Sequence, residues 1–249
     1  MSTAPAALQI SELRYRWPGA AADVLQLDTL TVVAGERVFL RGPSGCGKST
    51  LLSLMAGVLL PDAGTVALLG EPWSALSSAR RDRRRADHLG YIFQQFNLLP
   101  YLSVLDNVRL PARFSRRRAE RTRAGDAERL LARSGLAEAL WSRPASALSV
   151  GQQQRVAAVR ALIGGPELVV ADEPTSALDE DLRESFMALL LDSCAEAGSA
   201  LVFVSHDSRL AAHFDRQLDL PLLNRAATQE PAAASSAAPS ATPPAEAAA

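Results

Sequence analysis

One stretch decides the fold of this chain: Gly42-Pro43-Ser44-Gly45-Cys46-Gly47-Lys48-Ser49. Its spacing, G-x-x-x-x-G-K-[ST], is typical of loops that bind nucleotide phosphates. Lys48 is the only lysine among the 249 residues, and arginine is used wherever else the chain has a lysine-like or arginine-like cation. A compact ammonium fits between phosphates, where the planar arginine fork is a poor substitute. The stretch therefore predicts a nucleotide site.

The residue types of the loop indicate which contact each one makes. Backbone N–H groups and the N-terminus of the following helix form a nest for anions. We expect Lys48 to reach the β- and γ-phosphates, the Ser49 hydroxyl to bind Mg²⁺ and Thr50 to contact the α-phosphate. The other predicted nucleotide-binding residues are those of the loop itself: Gly42, Pro43, Ser44, Gly45, Cys46 and Gly47.

The flanks of the loop predict a strand before it and a helix after it. Residues 37–41 are a short, mainly apolar run that leads directly into the loop. From Ser49 to Gly57 the apolar residues follow a helical spacing, and Gly57 with Pro61 closes the helix. Strand, glycine loop and helix are the context that the phosphate-binding pattern requires.

The remaining periodicity predicts an α/β core. Residues 9–17 alternate polar and apolar side chains and predict an edge strand. Residues 65–69 and 89–93 predict further strands, whereas the stretch from Asn97 to about Arg160 has helical patterning. Two continuous apolar runs, 168–171 and 200–204, are typical of parallel strands that are covered on both faces.

Composition excludes several classes of protein. Hydrophobic residues make up 48% and the net charge is −1, so there is no basic excess, and we expect no nucleic-acid partner. No run approaches the roughly 18 apolar residues of a membrane span, and no signal peptide is read at residues 1–7. The two cysteines make no disulfide framework. Residues 226–249 are rich in Ala, Pro and Ser and predict a disordered tail.

A second chemical signal lies far downstream. The apolar run at 168–171 ends in Asp172 and Glu173. A strand of a parallel sheet delivers Asp172 to the edge beside the phosphate loop, where its carboxylate can hold Mg²⁺. Glu173 points elsewhere and can accept a proton from an attacking water.

A third signal identifies the family, through the peptide Leu148-Ser149-Val150-Gly151-Gln152-Gln153-Gln154-Arg155. It resembles the signature peptide of ABC-type ATPases, and nearly all of residues 8–225 follows that family's order of motifs. The resemblance implies ATP as the nucleotide and a set of further site residues. In that set Trp17 stacks on adenine (with Tyr15 as its rival), Gln94 senses Mg²⁺ and the attacking water, His206 contacts the γ-phosphate, and residues 176–179 form a dimer contact.

The resemblance also implies the fold and its division. We expect a P-loop NTPase core with a mostly parallel central sheet, an N-terminal antiparallel β part and an inserted α-helical subdomain. One ABC-type domain then covers 1–225, with its core at about 8–95 and 161–225. The helical insertion covers about 96–160.

The signature peptide implies that the chain works as a pair. The family has Gly-Gly where this chain has Val150-Gly151. Ser149 begins a predicted helix, whose N-terminus carries about half a positive charge and favours an anion. The resemblance implies that Ser149, Gly151 and Gln152 contact the ATP of a second copy. Two ATP molecules then join two copies head to tail, and hydrolysis releases them.

One loop suggests a branch of the family and a partner. Residues 96–100 together with 104–108 resemble the lipoprotein-releasing and macrolide-exporting branch, whose ATPase works with a membrane permease. We expect a separate permease and a place at the cytoplasmic face of the inner membrane. Its docking groove is predicted at Phe96, Leu98, Leu99 and Leu102, unless these side chains belong to the core of the insertion. Two arginine clusters, 80–85 and 113–123, are either solvated helix faces or surfaces for anionic lipid.

Two other functions compete with transport. A non-transport ATPase acting on DNA or ribosomes is disfavoured, because the chain has one ATPase unit and no long coiled coil. A switch that drives a permease-like protein without moving a substrate remains open, since the substrate and direction depend on the permease.

Overall fold

The structure, a computed structural model, describes residues 4–176 and 178–228. Its strands are β1 (Ala6–Tyr15), β2 (Leu25–Val33), β3 (Arg37–Arg41), β4 (Ala63–Leu68), β5 (Glu71–Pro72), β6 (Leu89–Ile92), β7 (Leu168–Asp172), β8 (Ala200–Val204) and β9 (Arg216–Asp219). Its helices are α1 (Lys48–Met55), α2 (Ser78–His88), α3 (Val104–Phe114), α4 (Arg116–Arg121), α5 (Asp126–Arg133), α6 (Val150–Leu162), α7 (Glu180–Ala197) and α8 (Leu220–Leu223). The predicted α/β fold is confirmed.

The N-terminal part is a four-stranded antiparallel sheet with the order β2-β1-β4-β5. β1 lies between β2 and β4, so the prediction of an edge strand at 9–17 was wrong. Alternating polar and apolar residues indicate that one face of a strand is buried, but they do not indicate whether the strand pairs with neighbours on both edges. Leu8, Ile10 and Leu13 supply the buried face of β1.

The central sheet is parallel throughout, with the order β6-β7-β8-β3-β9. Every residue of β7 and β8 is buried, because helices and the antiparallel sheet cover the two faces. β9 was missed in the sequence because its residues, Arg-Gln-Leu-Asp, pair at the sheet edge and form no apolar run.

The register of this sheet determines where the chemistry lies. Leu40 of β3 and Asp172 of β7 both pair with Val204 of β8, so the three residues form one row across the sheet. The chain leaves the carboxyl end of each of these strands immediately beyond that row. The phosphate loop, Glu173 and His206 therefore emerge at one edge, as the crevice rule for open α/β sheets requires.

The fully described stretch between β6 and β7 contains α3, α4, α5 and α6 with short turns, and these helices enclose a separate apolar cluster. Asn107 of α3 is fully buried, and its side chain bonds to the backbone of Leu99, Leu102 and Ser103 at 2.8 to 3.3 Å. The boundaries predicted for the insertion, 96–160, stay a prediction.

The described chain ends in a short turn at Arg225–Thr228. Beyond it the predicted disordered segment lies outside the described residues. Among the described residues, no helix combines the length and the apolar character needed to cross a membrane.

Candidate nucleotide-binding site

A cavity of about 720 Å³ opens at the carboxyl edge of the central sheet. It collects residues from sequence segments that lie up to 189 positions apart, between 17 and 206. Its lining is Trp17, Val24, Ser44, Gly45, Gly47, Lys48, Ser49, Thr50, Gln94, Asp172, Glu173 and His206. Most of the predicted nucleotide-binding and catalytic residues therefore meet in one place.

The phosphate loop owes its shape to glycines. Gly45 and Gly47 have φ values of 81° and 101°, a region that other residues enter only with strain. Gly47 precedes α1, whose first residues are Lys48 and Ser49. The loop thus turns the free N–H groups at the start of α1 toward the cavity.

Lys48 is held inside the loop. Its Nζ donates to the carbonyl oxygens of Gly42 at 2.8 Å and Pro43 at 2.9 Å, and its side chain is largely buried. Gly42, Pro43 and Cys46 are outside the cavity lining, although Gly42 and Pro43 position the lysine through these carbonyls. An ammonium has three donors, so one remains for a phosphate oxygen.

Two oxygens that suit a hard cation lie side by side. The Ser49 hydroxyl donates to Asp172 Oδ2 at 3.1 Å. Burial raises the pKa of Asp172, and the charge of neighbouring Glu173 raises it further, against the opposing effects of Ser49 and Lys48. A bound cation would favour the ionised carboxylate, so the donor set fits Mg²⁺.

Glu173 and His206 contact each other in the lining of the cavity. His206 Nε2 lies 2.7 Å from Glu173 Oε1. Glu173 has a φ of 48°, and its N–H donates to the carbonyl of Val204 at 3.0 Å. This left-handed turn directs the glutamate side chain away from the strand and into the cavity.

Trp17 lies at the mouth of the cavity. Its side chain is 45% exposed and lines the cavity, whereas Tyr15 is 6% exposed. The two rings meet edge to face, with centroids 5.3 Å apart. Tyr15 therefore packs against Trp17 from the protein interior, and Trp17 is the ring that is exposed for stacking.

Gln94 lines the cavity at the end of β6, and the loop that follows it is unusual. Phe96 and Asn97 both have left-handed φ values, 58° and 48°. Arg160 of α6 donates to both of their carbonyl oxygens at 2.6 Å. One guanidinium therefore fixes the loop that carries Gln94.

The signature residues lie apart from this cavity. Ser149 is the N-cap residue directly before α6 and forms a capping box with Gln152, as the predicted helix start requires. Val150 is 54% exposed, and Gly151 lies beside Leu178 of the loop before α7. Of the described residues that line the cavity, none comes from 149–152.

The residues of the predicted docking groove belong in part to the helical insertion, which was the alternative left open by the sequence. Leu98 packs against the helical cluster, and Asn107 fixes the backbone at Leu99 and Leu102. A different apolar groove, of about 350 Å³, lies between α1, β6 and α3. Its apolar lining includes residues from three separate segments, which is why no single run marks it: Val58, Tyr91, Phe93, Leu110 and Phe114.

Many of the clustered arginines have structural partners. Arg84 and Arg85 of α2 donate to the carbonyls of Leu68 and Gly57. Arg117 and Arg121 donate to Glu167 at 2.8 and 2.9 Å. Burial alone would raise the pKa of Glu167, but hydrogen bonds from His88 and these arginines lower it to about 2. The clusters are therefore in large part internal anchors, which neither interpretation from the sequence included.

Fold and site together define a class of nucleotide-binding protein. Its site combines a phosphate loop, a Ser–Asp pair suited to a divalent cation and a second carboxylate next to that pair. The sequence pattern of the family described as ABC transporter matches residues 25–176. The chain belongs to this family and is an ATP-binding, ATP-hydrolysing protein.

Relatives extend over most of the chain. The lipoprotein-releasing system ATP-binding protein LolD of Shewanella frigidimarina is 42% identical over 220 residues, covering 88% of this chain and 91% of LolD. The macrolide export ATP-binding/permease protein MacB of Rhodopseudomonas palustris is 37% identical over 96% of this chain, which spans only 37% of MacB. The dimeric ATP-binding cassette MJ0796, solved with ADP and Pi, is 32% identical with a TM-score of 0.77, covering 85% of this chain and 93% of the cassette.

Proposed function

We propose that this chain powers a separate membrane permease by closing and opening a head-to-tail pair of identical copies around ATP. The observation that carries the proposal is the division of the site. One cavity contains the phosphate loop, the carboxylates and His206, while the helix start at Ser149 lies outside it. A site divided in this way needs a second copy to complete it.

Binding of ATP is assigned to the groups that face the cavity. Lys48 and the N–H groups at the start of α1 bind the β- and γ-phosphates, and Thr50 contacts the α-phosphate. Trp17 stacks on adenine, because its ring is exposed and supported by Tyr15.

Ser49 and Asp172 would hold Mg²⁺, and Gln94 lines the same cavity. The ion, when bound, neutralises charge on the phosphate oxygens. Asp172 would then be ionised, although burial raises its pKa without the ion.

Glu173 is the general base in this proposal. Its carboxylate accepts a proton from the water that attacks the γ-phosphate, and Gln94 helps to orient that water. His206 contacts the γ-phosphate. Its Nε2 is also within hydrogen-bond distance of Glu173, so the histidine is placed to contact both the phosphate and the base.

The second copy supplies the N-terminus of α6. Ser149 has its hydroxyl at the start of a helix of 13 residues, where the dipole favours an anion. Gly151 leaves room for a close approach, and Gln152 is adjacent. Loss of the γ-phosphate removes the anion that joins the two copies, which releases them.

The relatives support a permease partner at the cytoplasmic face of the inner membrane. One relative is named for lipoprotein release and another for macrolide export with a permease in the same chain. The groove between α1, β6 and α3 exposes Val58 at 62% and Phe114 at 75%, and it is the docking surface in this proposal.

The test replaces Glu173 with Gln. Glu173→Gln keeps the size of the side chain and removes its basicity, so ATP turnover should cease while ATP drives a stable dimer. Size-exclusion chromatography with and without ATP measures the dimer, and phosphate release measures turnover. Turnover at the wild-type rate, or a variant that remains monomeric at saturating ATP, would refute the proposal.

A further inference from the structure

Glu173 and His206 belong to two neighbouring segments that leave the central sheet at one edge. Asp172, the last residue of β7, pairs with Val204, the last residue of β8. The N–H of Glu173 donates to the carbonyl of Val204 at 3.0 Å. His206 lies two residues beyond Val204, and its Nε2 is still 2.7 Å from Glu173 Oε1. The separation of these two side chains therefore depends on contacts outside the sheet.

Arg183 of α7 connects the same two segments a second time. Its Nη1 donates to Asp207 Oδ2 at 3.0 Å, and its Nη2 donates to the carbonyl of Leu178 at 3.1 Å. Asp207 follows His206 directly, and Leu178 lies five residues after Glu173. The two segments are thus joined at one end by the Glu173–His206 contact and at the other by Arg183, which closes a ring.

The guanidinium group of Arg183 suits this role. A planar fork can donate to two oxygens that lie in different directions, whereas an ammonium is a compact point charge. The side chains of Arg183 and Asp207 are only 21% and 23% exposed, so water and salt screen their contact less than they screen a surface ion pair. The Arg183 Nε is buried without a hydrogen-bond partner, which is unfavourable and which the bonds at Nη1 and Nη2 offset.

A second arginine also binds Asp207, but it does not close the ring. Arg209 Nη2 donates to Asp207 Oδ2 at 2.8 Å, and its Nη1 donates to Glu180 at 3.2 Å. The side chains of Arg209 and Glu180 are 67% and 76% exposed, so this ion pair contributes little. Of the two arginines, it is Arg183 that donates to the carbonyl of Leu178. Arg209 is therefore a matched control for the charge beside Asp207.

We infer that Arg183 is a positioning residue that holds Glu173 and His206 at the separation that ATP cleavage requires. The inference rests on the proposed function, in which Glu173 accepts a proton from the attacking water and His206 contacts the γ-phosphate. Arg183 is not among the residues that line the nucleotide cavity. It acts through Leu178 and Asp207, each of which lies on the same short segment as one member of the pair.

The first measurement compares ATP turnover with ATP affinity in Arg183→Met, which keeps an apolar stem and removes both hydrogen bonds. Misplaced reacting groups should lower kcat about 10- to 100-fold. The Kd of a fluorescent ATP analogue should stay unchanged, because the phosphate loop and Trp17 lie outside the ring. Arg183→Lys should give an intermediate kcat, since its ammonium can still pair with Asp207 but lacks the fork.

The second measurement needs no ATP. The chain has three histidines, His88, His206 and His213, so long-range ¹H–¹⁵N spectra of the imidazole rings contain few signals. The spectrum of His206→Asn assigns the signals of His206. In Arg183→Met these signals should shift or broaden. His88 Nδ1 lies 2.9 Å from Glu167, away from the ring, and its unchanged signals would show that the variant is folded.

Arg209→Gln should change neither kcat nor the signals of His206. Three results would overturn the inference: a wild-type kcat in Arg183→Met, wild-type signals of His206 in that variant, or an equal loss of kcat in Arg209→Gln. A loss of kcat accompanied by altered signals of His88 would also contradict it, because the damage would then extend through the fold.

Failure of this inference and failure of the proposed function give different results. The histidine spectra are recorded without nucleotide, so they test the ring even if Glu173→Gln forms no ATP-driven dimer. Conversely, unchanged signals of His206 in Arg183→Met would leave that dimer, and the proposed function, as they are.

Discussion

Gly47→Ala tests whether the phosphate loop is fixed by packing as well as by backbone shape. Gly47 has a φ of 101°, and a Cβ at this position would lie 2.9 Å from Leu25 Cδ2 and 3.5 Å from Val24 Cγ1. Leu25 is fully buried in the core, so it cannot move aside freely.

Two terms give the size of the effect. A left-handed backbone costs alanine about 1–2 kcal/mol, and crowding a packed leucine costs about 1–3 kcal/mol. The sum is about 2–5 kcal/mol of unfolding free energy. Gly45→Ala and Gly70→Ala incur only the first term, because a Cβ at either position, with φ of 81° and 77°, has nothing within 4 Å.

Thermal unfolding followed by circular dichroism compares the three variants. For a chain of this length each kcal/mol lowers the Tm by about 2–4 °C, so Gly47→Ala should unfold about 2–12 °C below Gly45→Ala. Gly70→Ala, outside the cavity, should keep the ATP affinity of the wild type. Equal Tm values for Gly47→Ala and Gly45→Ala would refute the packing contact with Leu25.

Three further predictions follow from individual side chains. Trp17→Ala should weaken ATP binding by about 1–3 kcal/mol, roughly 5- to 150-fold in a titration with fluorescent ATP, while Tyr15→Phe should change little. Asp172→Asn should raise the Tm of the nucleotide-free chain near neutral pH and abolish the effect of Mg²⁺ on ATP affinity. Glu167→Gln should lower the Tm near neutral pH, and this loss should fade as the pH falls toward 2.

The effects of Asp172→Asn and Glu167→Gln on the Tm should depend on pH in different ways. Burial raises the pKa of Asp172, so its charged form opposes folding above that pKa, and the advantage of Asp172→Asn should vanish in acid. Hydrogen bonds from His88, Arg117 and Arg121 lower the pKa of Glu167 from 4.5 to about 2, so its contribution is present above 4.5 and lost between these values. Tm profiles with the opposite pH trends would contradict these assignments.

Local pattern was sufficient for the parts of the site that lie in single segments. The loop at 42–49 and the run that ends at Asp172 each carry a strand or helix signal together with their chemistry. The five strands of the central sheet are parallel, so their carboxyl ends lie at one edge. The loop and Asp172 follow or end such strands and therefore meet at that edge. The helix start at Ser149 was equally predictable, since a serine cap with Gln152 is a local signal.

Features made from distant segments were not predictable in the same way. The apolar groove joins Val58, Phe93 and Phe114, which no periodicity connects. The clamp of Arg160 on the Gln94 loop spans more than 60 positions, and it depends on two left-handed residues that sequence patterning does not reveal. The sequence pattern did not predict β9, because a strand that pairs at the edge of a sheet needs no apolar run.

The measurement closest to the central claim mixes two inactive chains. Lys48→Ala lacks the phosphate-loop cation, and Ser149→Arg blocks the helix start at the exposed residue that precedes α6. If each site uses Lys48 from one copy and Ser149 from the other, half the dimers of an equal mixture are mixed, and each contains one intact site. ATP cleavage should then recover to about a quarter of the wild-type amplitude in a single turnover. No recovery above the two separate variants would contradict the account.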